Sequence, residues 1–297
     1  MEIEYVGHSD DVSFLHPEPC VMALGFFDGV HLGHRKVIAE AREIAREKNL
    51  KLAVMTFFPH PKEVFSCENT KVNYLMPIDV KAETFSDLGV DKLYVIDFTK
   101  SFAALSPKDF VHKYLVELGA LHVVAGFDFT YGHKGMGNMQ TLHSDSNYSL
   151  QVTTVSKLEE DGRKVSSTLI RELLAAGQVL KVADYLGDFY ETRGELLPLS
   201  IVIKQGSFHA EVITAPYFTL PKTGLYEMEA QMGERIYHGT AYVRPNSAET
   251  SIFDIRLVWP LKKSKDLMIK LKWLNRVTDP KRMIADLRLA AHASTIF

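Results

Sequence analysis

Apolar and polar positions follow two different rhythms along this chain. Val21 to Leu24 is an unbroken apolar run closed by Gly25, and after a glycine-punctuated turn Arg35 to Lys48 carries apolar residues at helical spacing between polar faces. Leu52 to Thr56, Leu93 to Phe98, Val123 to Phe129 and Leu150 to Val155 read as further strands. Asp79 to Leu88 and Lys108 to Leu118 read as helices, the latter opened by Ser106 and Pro107, a cap and first-turn pair. Strands alternating with helices predict an α/β domain: a parallel sheet with helices on both faces, binding its ligands beyond the carboxyl ends of the strands.

Two more helices, Ser167 to Ala176 before Gly177 and Val179 to Leu186 before Gly187, end this pattern. From Tyr190 to Trp273 the period becomes two, in runs that include Ser200 to Lys204, Ala210 to Thr214, Gly224 to Ala230, Tyr237 to Val243 and Ser251 to Val258. A small antiparallel β-barrel is the economical reading. Asp279 and Pro280 then cap a final helix through Ala291, giving domains 1–187 and 188–297.

Composition agrees and removes several function classes. At 297 residues the chain exceeds one ordinary core, and 46% hydrophobic with 24% charged residues marks a globular protein. The net charge of −3 provides no general basic field for nucleic acid or an anionic membrane, so any phosphate affinity must be local. Cys20 and Cys67 have neither metal-ligand spacing nor the number for a disulfide framework, and the expectation is buried thiols in a reducing cytoplasm. The acidic start and the lack of a spanning apolar run fit that expectation. There is no GxxxxGK[ST] loop and no GxSxG turn, and nothing speaks to oligomeric state.

Candidate chemistry concentrates in GFFDGVHLGHR, Gly25 to Arg35, which links the first strand to the first helix. Gly25, Gly29 and Gly33 permit a tight turn and close backbone approach, and a helix start favours bound phosphate. His31 and His34, three apart, can face one pocket and donate to one polyphosphate, which would favour their protonated forms. The competing reading of these histidines is a buried loop with backbone partners, or a zinc site. Asp28 is expected to tie the loop by local backbone hydrogen bonds.

GFFDGVHLGH resembles the HxGH signature of the nucleotidylyltransferase superfamily in the form carried by bacterial FAD synthetases. TFFPHP (Thr56 to Pro61), GFDFTYG (Gly126 to Gly132) and VSSTLIR (Val165 to Arg171) resemble that family's other motifs, in its order. The resemblance implies a Rossmann-like domain that transfers AMP from ATP to FMN, giving FAD and pyrophosphate. It gives His31, His34 and Arg171 the catalytic roles, with Gly25, Phe26, Asp28, Gly29 and Gly33 around the nucleotide phosphates. Lys164, Ser167 and Thr168 would join them, Lys164 standing where the family often has arginine. His60, Phe65, Phe110, Asp128 and Tyr131 fall where relatives hold flavin, although Phe110 on an amphipathic helix reads more simply as core. Mg2+ would arrive through the substrate phosphates, with Asp128 helping to place it or a ribose.

PKTGLY (Pro221 to Tyr226) and GTAYVRPN (Gly239 to Asn246) resemble landmarks of the riboflavin kinase barrel that follows in bifunctional family members. The stretch TRGELLPLSIVIKQG lacks the family's glycine-rich turn and its Pro-Thr-Ala-Asn, whose hydroxyl and amide oxygens hold metal and ATP. Asp254 stands near the place of the catalytic glutamate. The expectation is therefore an adenylyltransferase with a degenerate kinase-like domain, the alternatives being a bifunctional enzyme and a silent flavin or nucleotide sensor.

Overall fold

The computed structural model describes residues 1–7, 17–66, 72–204, 207–214, 218–245, 247, 251–258 and 267–278. The expected C-terminal helix and Cys67 lie outside the described residues. The chain forms two compact units, Met1–Val72 with Met76–Val165, and Asn73–Leu75 with Ser166–Phe297. Helices 167–176 and 179–186, placed with the first domain by their helical period, thus group with the barrel, because periodicity identifies a helix without naming the surface its apolar stripe covers.

The first unit is built on six parallel strands, β1 (Glu2–Val6), β2 (Cys20–Leu24), β3 (Lys51–Phe58), β4 (Lys92–Asp97), β5 (Ala120–Gly126) and, after two short ones, β8 (Gln151–Val155). The short strands β6 (Thr130–Tyr131) and β7 (Gly137–Asn138) pair with each other, as do β9 (Glu159–Glu160) and β10 (Arg163–Lys164). Strand order is β1-β4-β3-β2-β5-β8, which reverses direction between β2 and β5 and so opens the ligand crevice beyond Leu24 and Gly126.

Strand alternation divides the core in two. Val21 and Ala23 face α1 (Leu32–Lys48), through Val37, Ile38 and Ala41, and also Phe85 of α3 (Ile78–Asp87). Met22 and Leu24 face the opposite layer, where Phe102 of α4 (Lys100–Ala103) meets Phe110 and Val111 of α5 (Pro107–Val111). The helical turns continue from α5 through His112–Val116, bringing Tyr114 and Leu115 into the same layer. The shorter helices α2 (Pro61–Phe65) and α6 (Leu142–Asp145) follow β3 and β7.

In the second unit α7 (Ser167–Ala176) and α8 (Val179–Leu186) precede a closed antiparallel barrel. Its strands are β11 (Tyr190–Leu196), β13 (Ser207–Thr214), β14 (Gly224–Met232), β15 (Arg235–Val243), β16 (Ile252–Val258) and β17 (Met268–Arg276). Pairing runs β11-β17-β14-β15-β16-β13, a β11–β13 pairing closes the circle, and β12 (Val202–Lys204) adds to β13 from outside. Alternate residues point inward, among them Tyr226, Met228 and Ala230 on β14 and Leu271 and Trp273 on β17. The Trp273 indole donates to the Thr192 hydroxyl at 3.0 Å, which satisfies its polar edge inside the barrel.

Candidate active site

The turn from β2 into α1 lies at the carboxyl end of β2, beside the point where the strand order reverses. Gly29 adopts φ 81°, and Phe27 (52°) and Val30 (38°) are held in left-handed conformations that cost about 1–3 kcal/mol each for side chains of this kind. Burial overdetermines them: Phe27 and Val30 are both inside the core, with Phe27 edge-on to Phe85 at 5.7 Å. A Cβ on Gly25 would lie 2.9 Å from the Phe27 ring, so glycine there makes room for the inward phenyl. Asp28 Oδ1 accepts from the Met76 amide at 3.1 Å. This bond ties the turn to the loop that leads into α3.

His31 is the N-cap of α1, its Nδ1 accepting the His34 backbone N–H at 3.2 Å. That bond fixes the neutral tautomer with its proton on Nε2, leaving Nε2–H available to donate outward. The His34 ring stacks on that of His31, centroids 3.5 Å apart and planes at 17°, and meets Phe27 edge-on. Gly33 allows this stack, since a Cβ there would lie 3.2 Å from the His31 ring. Burial presses His31 down to about 4, against a partial pull upward from Asp28. Burial likewise holds His34 well below its ordinary range, and His31, Lys81 and Lys164 push the same way. The buried Nδ1 of His34 lacks a hydrogen-bond partner among the described residues. Two neutral donors at the positive end of a 17-residue helix form a site that an anion would complete.

Across the crevice, Phe127 and Asp128 follow β5. Lys164 ends the β9–β10 hairpin, pairs with the Asp128 carboxylate and lies over the Phe127 ring at 4.9 Å. Asp128 therefore meets a cation within the protein itself. Among the described residues no group of three or more His, Cys, Asp or Glu side chains is placed to hold a metal ion.

At the ends of β3 and β4, His60 caps α2 by accepting the Lys62 amide at Nδ1, and meets Phe26 edge-on at 4.8 Å. Phe65, 58% exposed, packs edge-on against Phe98. Phe110 and Tyr131 stack on each other at 5.2 Å but are buried in the core layer of Met22 and Leu24, and the Tyr131 hydroxyl donates to Asp145 at 2.7 Å. The core reading of Phe110 is what the packing shows, and of the expected flavin aromatics Phe65 alone presents an open face.

In the second unit, Ser166 is the N-cap of α7, accepting the Leu169 amide at 3.2 Å, and leaves Ser167 and Thr168 in the first turn. Arg171, one turn on, reaches the carbonyls of Ser167 and Asn73 at 3.4 Å. In the barrel, Glu211 and Asp254 lie directly opposite on β13 and β16, and Arg244 bridges both, its Nε donating to Asp254 Oδ2 at 2.6 Å.

Lys81, which the sequence pattern did not single out, packs against the turn from β2 into α1. It lies on α3, only 2% exposed, and donates to the Phe26 carbonyl at 2.9 Å and toward the Thr56 hydroxyl at 3.4 Å. The sequence signal available was a lysine on the buried face of an amphipathic helix.

A parallel sheet with paired histidines at the start of the helix after its central strand is the arrangement of the HxGH nucleotidylyltransferases. The chain belongs to the FAD synthetase family, whose profile matches residues 14–169, more than half of its length. It is 36% identical over 281 residues to the bifunctional riboflavin kinase/FMN adenylyltransferase of Bacillus subtilis, covering 88% of this chain and 85% of that protein. The protein of the same description from Listeria monocytogenes is 41% identical over 234 residues, 76% and 72% of the two chains. A second Listeria protein, described as FAD synthetase, is 29% identical over 71% of this chain and 81% of its own. A crystal structure described as a macrolide-efflux protein from Streptococcus pneumoniae shares the fold, with TM-score 0.78 at 24% identity over 93% of this chain and 100% of that one. In the described residues, no helix is long and apolar enough to cross a membrane.

Proposed function

We propose that the chain transfers AMP from ATP to FMN. An FMN phosphate oxygen attacks the α-phosphorus in line, the new phosphoanhydride completes FAD, and the bond to the β-phosphate breaks with its electrons leaving on pyrophosphate. Such a transfer asks the protein for alignment and charge neutralisation rather than a covalent intermediate. His31 and His34 are the donors to the triphosphate, and the observation that carries the reading is their stack on the α1 N-terminus with Nε2 of His31 directed by its own cap. A bound triphosphate would raise both imidazole pKa values toward the protonated form, reversing the effect of burial. Mg2+ would enter with ATP and be held largely through the substrate phosphates.

Lys164 and Asp128 flank the same crevice, and releasing their mutual pair would free one charge for phosphate and one for metal or ribose. Phe65, with Phe98 behind it, offers the flat apolar surface an isoalloxazine ring needs. Arg171, with Ser167 and Thr168, is assigned to the leaving pyrophosphate on the strength of its motif, where a forked donor suits phosphate.

For the barrel we infer no flavokinase activity. Both oxygens of Asp254 are engaged by Arg244, so this carboxylate is not poised to take a proton from a substrate hydroxyl. A bifunctional reading is favoured by the likeness to the bifunctional Bacillus relative, which at 88% of this chain extends into the barrel. One assay separates them: purified protein with ATP, Mg2+ and either FMN or riboflavin, flavins resolved by chromatography. FAD from FMN alone is expected, FAD from riboflavin would establish the bifunctional enzyme, and no FAD from FMN would overturn the proposal.

A further inference from the structure

The turn that carries the histidines has a buried cation against its inner side. Lys81 reaches it from α3, and its ammonium contacts one carbonyl (Phe26), one hydroxyl (Thr56) and the face of the Phe26 ring at 4.8 Å. The carbonyl does not require it, because the Thr56 hydroxyl already donates to Phe26 O at 2.9 Å. A methionine or glutamine would fill the same space without the large desolvation cost of a charge. The ionisable groups acting on this ammonium from the elements around it are Asp28, from the turn, and His34, from α1. Asp28 is itself engaged by the Met76 amide. The charge is thus only partly compensated within the protein, and it sits against the two donors that face the crevice.

We propose that Lys81 is a positioning residue for the nucleotide: its fixed, water-shielded positive charge behind the Gly25–His34 turn draws the triphosphate onto His31 and His34 and holds that turn in its strained form. A low-dielectric setting makes such a charge effective at short range, since water cannot screen it. It also opposes protonation of His34, which burial already holds in its neutral form in the free protein. This rests on the reading of the turn as an ATP site.

The test measures ATP affinity by calorimetry, together with FAD formation, in the full-length protein and in Lys81→Met and Lys81→Arg. Lys81→Met should melt no lower than the wild type by more than a few degrees, because an unfavourable buried charge has gone, yet bind ATP about 10- to 100-fold more weakly, the usual effect of losing a supporting residue. Lys81→Arg should recover a substantial part of that affinity. Burial places the Lys81 ammonium at about 8, so wild-type ATP affinity should weaken as pH rises from 7.5 to 9.5, and the arginine variant should flatten this limb. A structural tie alone would move neither the alkaline limb nor its recovery by arginine.

Lys81→Met with wild-type affinity, or a flat wild-type profile across that range, would overturn the inference, and the second measurement stands even where neither variant folds. ATP binding with the Lys81 pattern but no FAD from FMN would remove the proposed reaction while leaving Lys81 in place. Failure of the wild type to bind ATP would remove both.

Discussion

The imidazole of His31 accepts a hydrogen bond from the backbone of the residue whose ring it stacks upon, His34. One side chain thereby closes the helix end, selects its own tautomer and fixes the plane of its neighbour. A structural role and the proposed catalytic one meet in a single ring, and suitable substitutions separate them.

His31→Ala removes both roles and should cost about 1 kcal/mol of stability from the lost cap. Its effect on FAD formation should be larger, about 2–4 kcal/mol of transition-state stabilisation. His31→Asn restores a good capping oxygen without Nε2–H. The asparagine variant should melt close to wild type and remain nearly as inactive as the alanine variant. Equal recovery of stability and activity would limit His31 to its cap.

Gly33→Ala places a methyl 3.2 Å from the His31 ring. Alanine gains about 1 kcal/mol of helix propensity, so thermal stability should change little. The displaced imidazole should lower kcat/KM for FAD formation by roughly tenfold or more, as small misplacements of a donor do. Unchanged turnover would show that the stack is not needed.

Acid should weaken the fold through the same residues. Since burial lowers native His31 from 6.5 to about 4, the unfolded chain takes up a proton in that window that the native state refuses. Stability therefore falls as pH drops from about 6.5 toward 4 and the His31 contribution levels off below, a loss on the order of 3 kcal/mol. His34 acts in the same direction. Saturating ATP should blunt this dependence, and calorimetry in buffers of different ionisation enthalpy near pH 6 should record proton uptake on binding. Proton release would contradict phosphate contact by the imidazoles.

Arg171→Ala should reduce kcat by about 10²-fold, the effect of losing one donor to developing charge. Its hydrogen bonds to the Ser167 and Asn73 carbonyls are both 3.4 Å long, and unfolding in urea, measured beside the kinetics, should shift by no more than about 1 kcal/mol. Comparable losses in both measurements would make Arg171 a structural residue.

Much of this architecture is local and could be read directly. The period-two and period-3.6 runs gave the α/β unit, whose strands β2, β3, β4, β5 and β8 were all expected, and β13, β14, β15 and β16 of the barrel together with β12 outside it. The edge strand β1 escaped because EIEYV buries only Val6 of its five residues and so carries charges where a central strand carries apolar side chains. Strand β17 escaped in the same way, its MIKLKWLNR sequence placing Lys270 and Lys272 on the outer face of the barrel.

By itself the sequence determined the chemical inventory: a strand–turn–helix with three glycines and two histidines, and a barrel without the kinase tetrapeptide. Those follow from short-range steric and hydrogen-bonding preferences that adjacent residues carry with them. Only the tertiary structure decided that His31 caps while His34 stacks, that Phe110 and Tyr131 are core, that Arg244 occupies Asp254, and that Lys81 lies against the turn. Each depends on which remote segment excludes water from a given group, and desolvation is a property of the packed whole that no local pattern encodes.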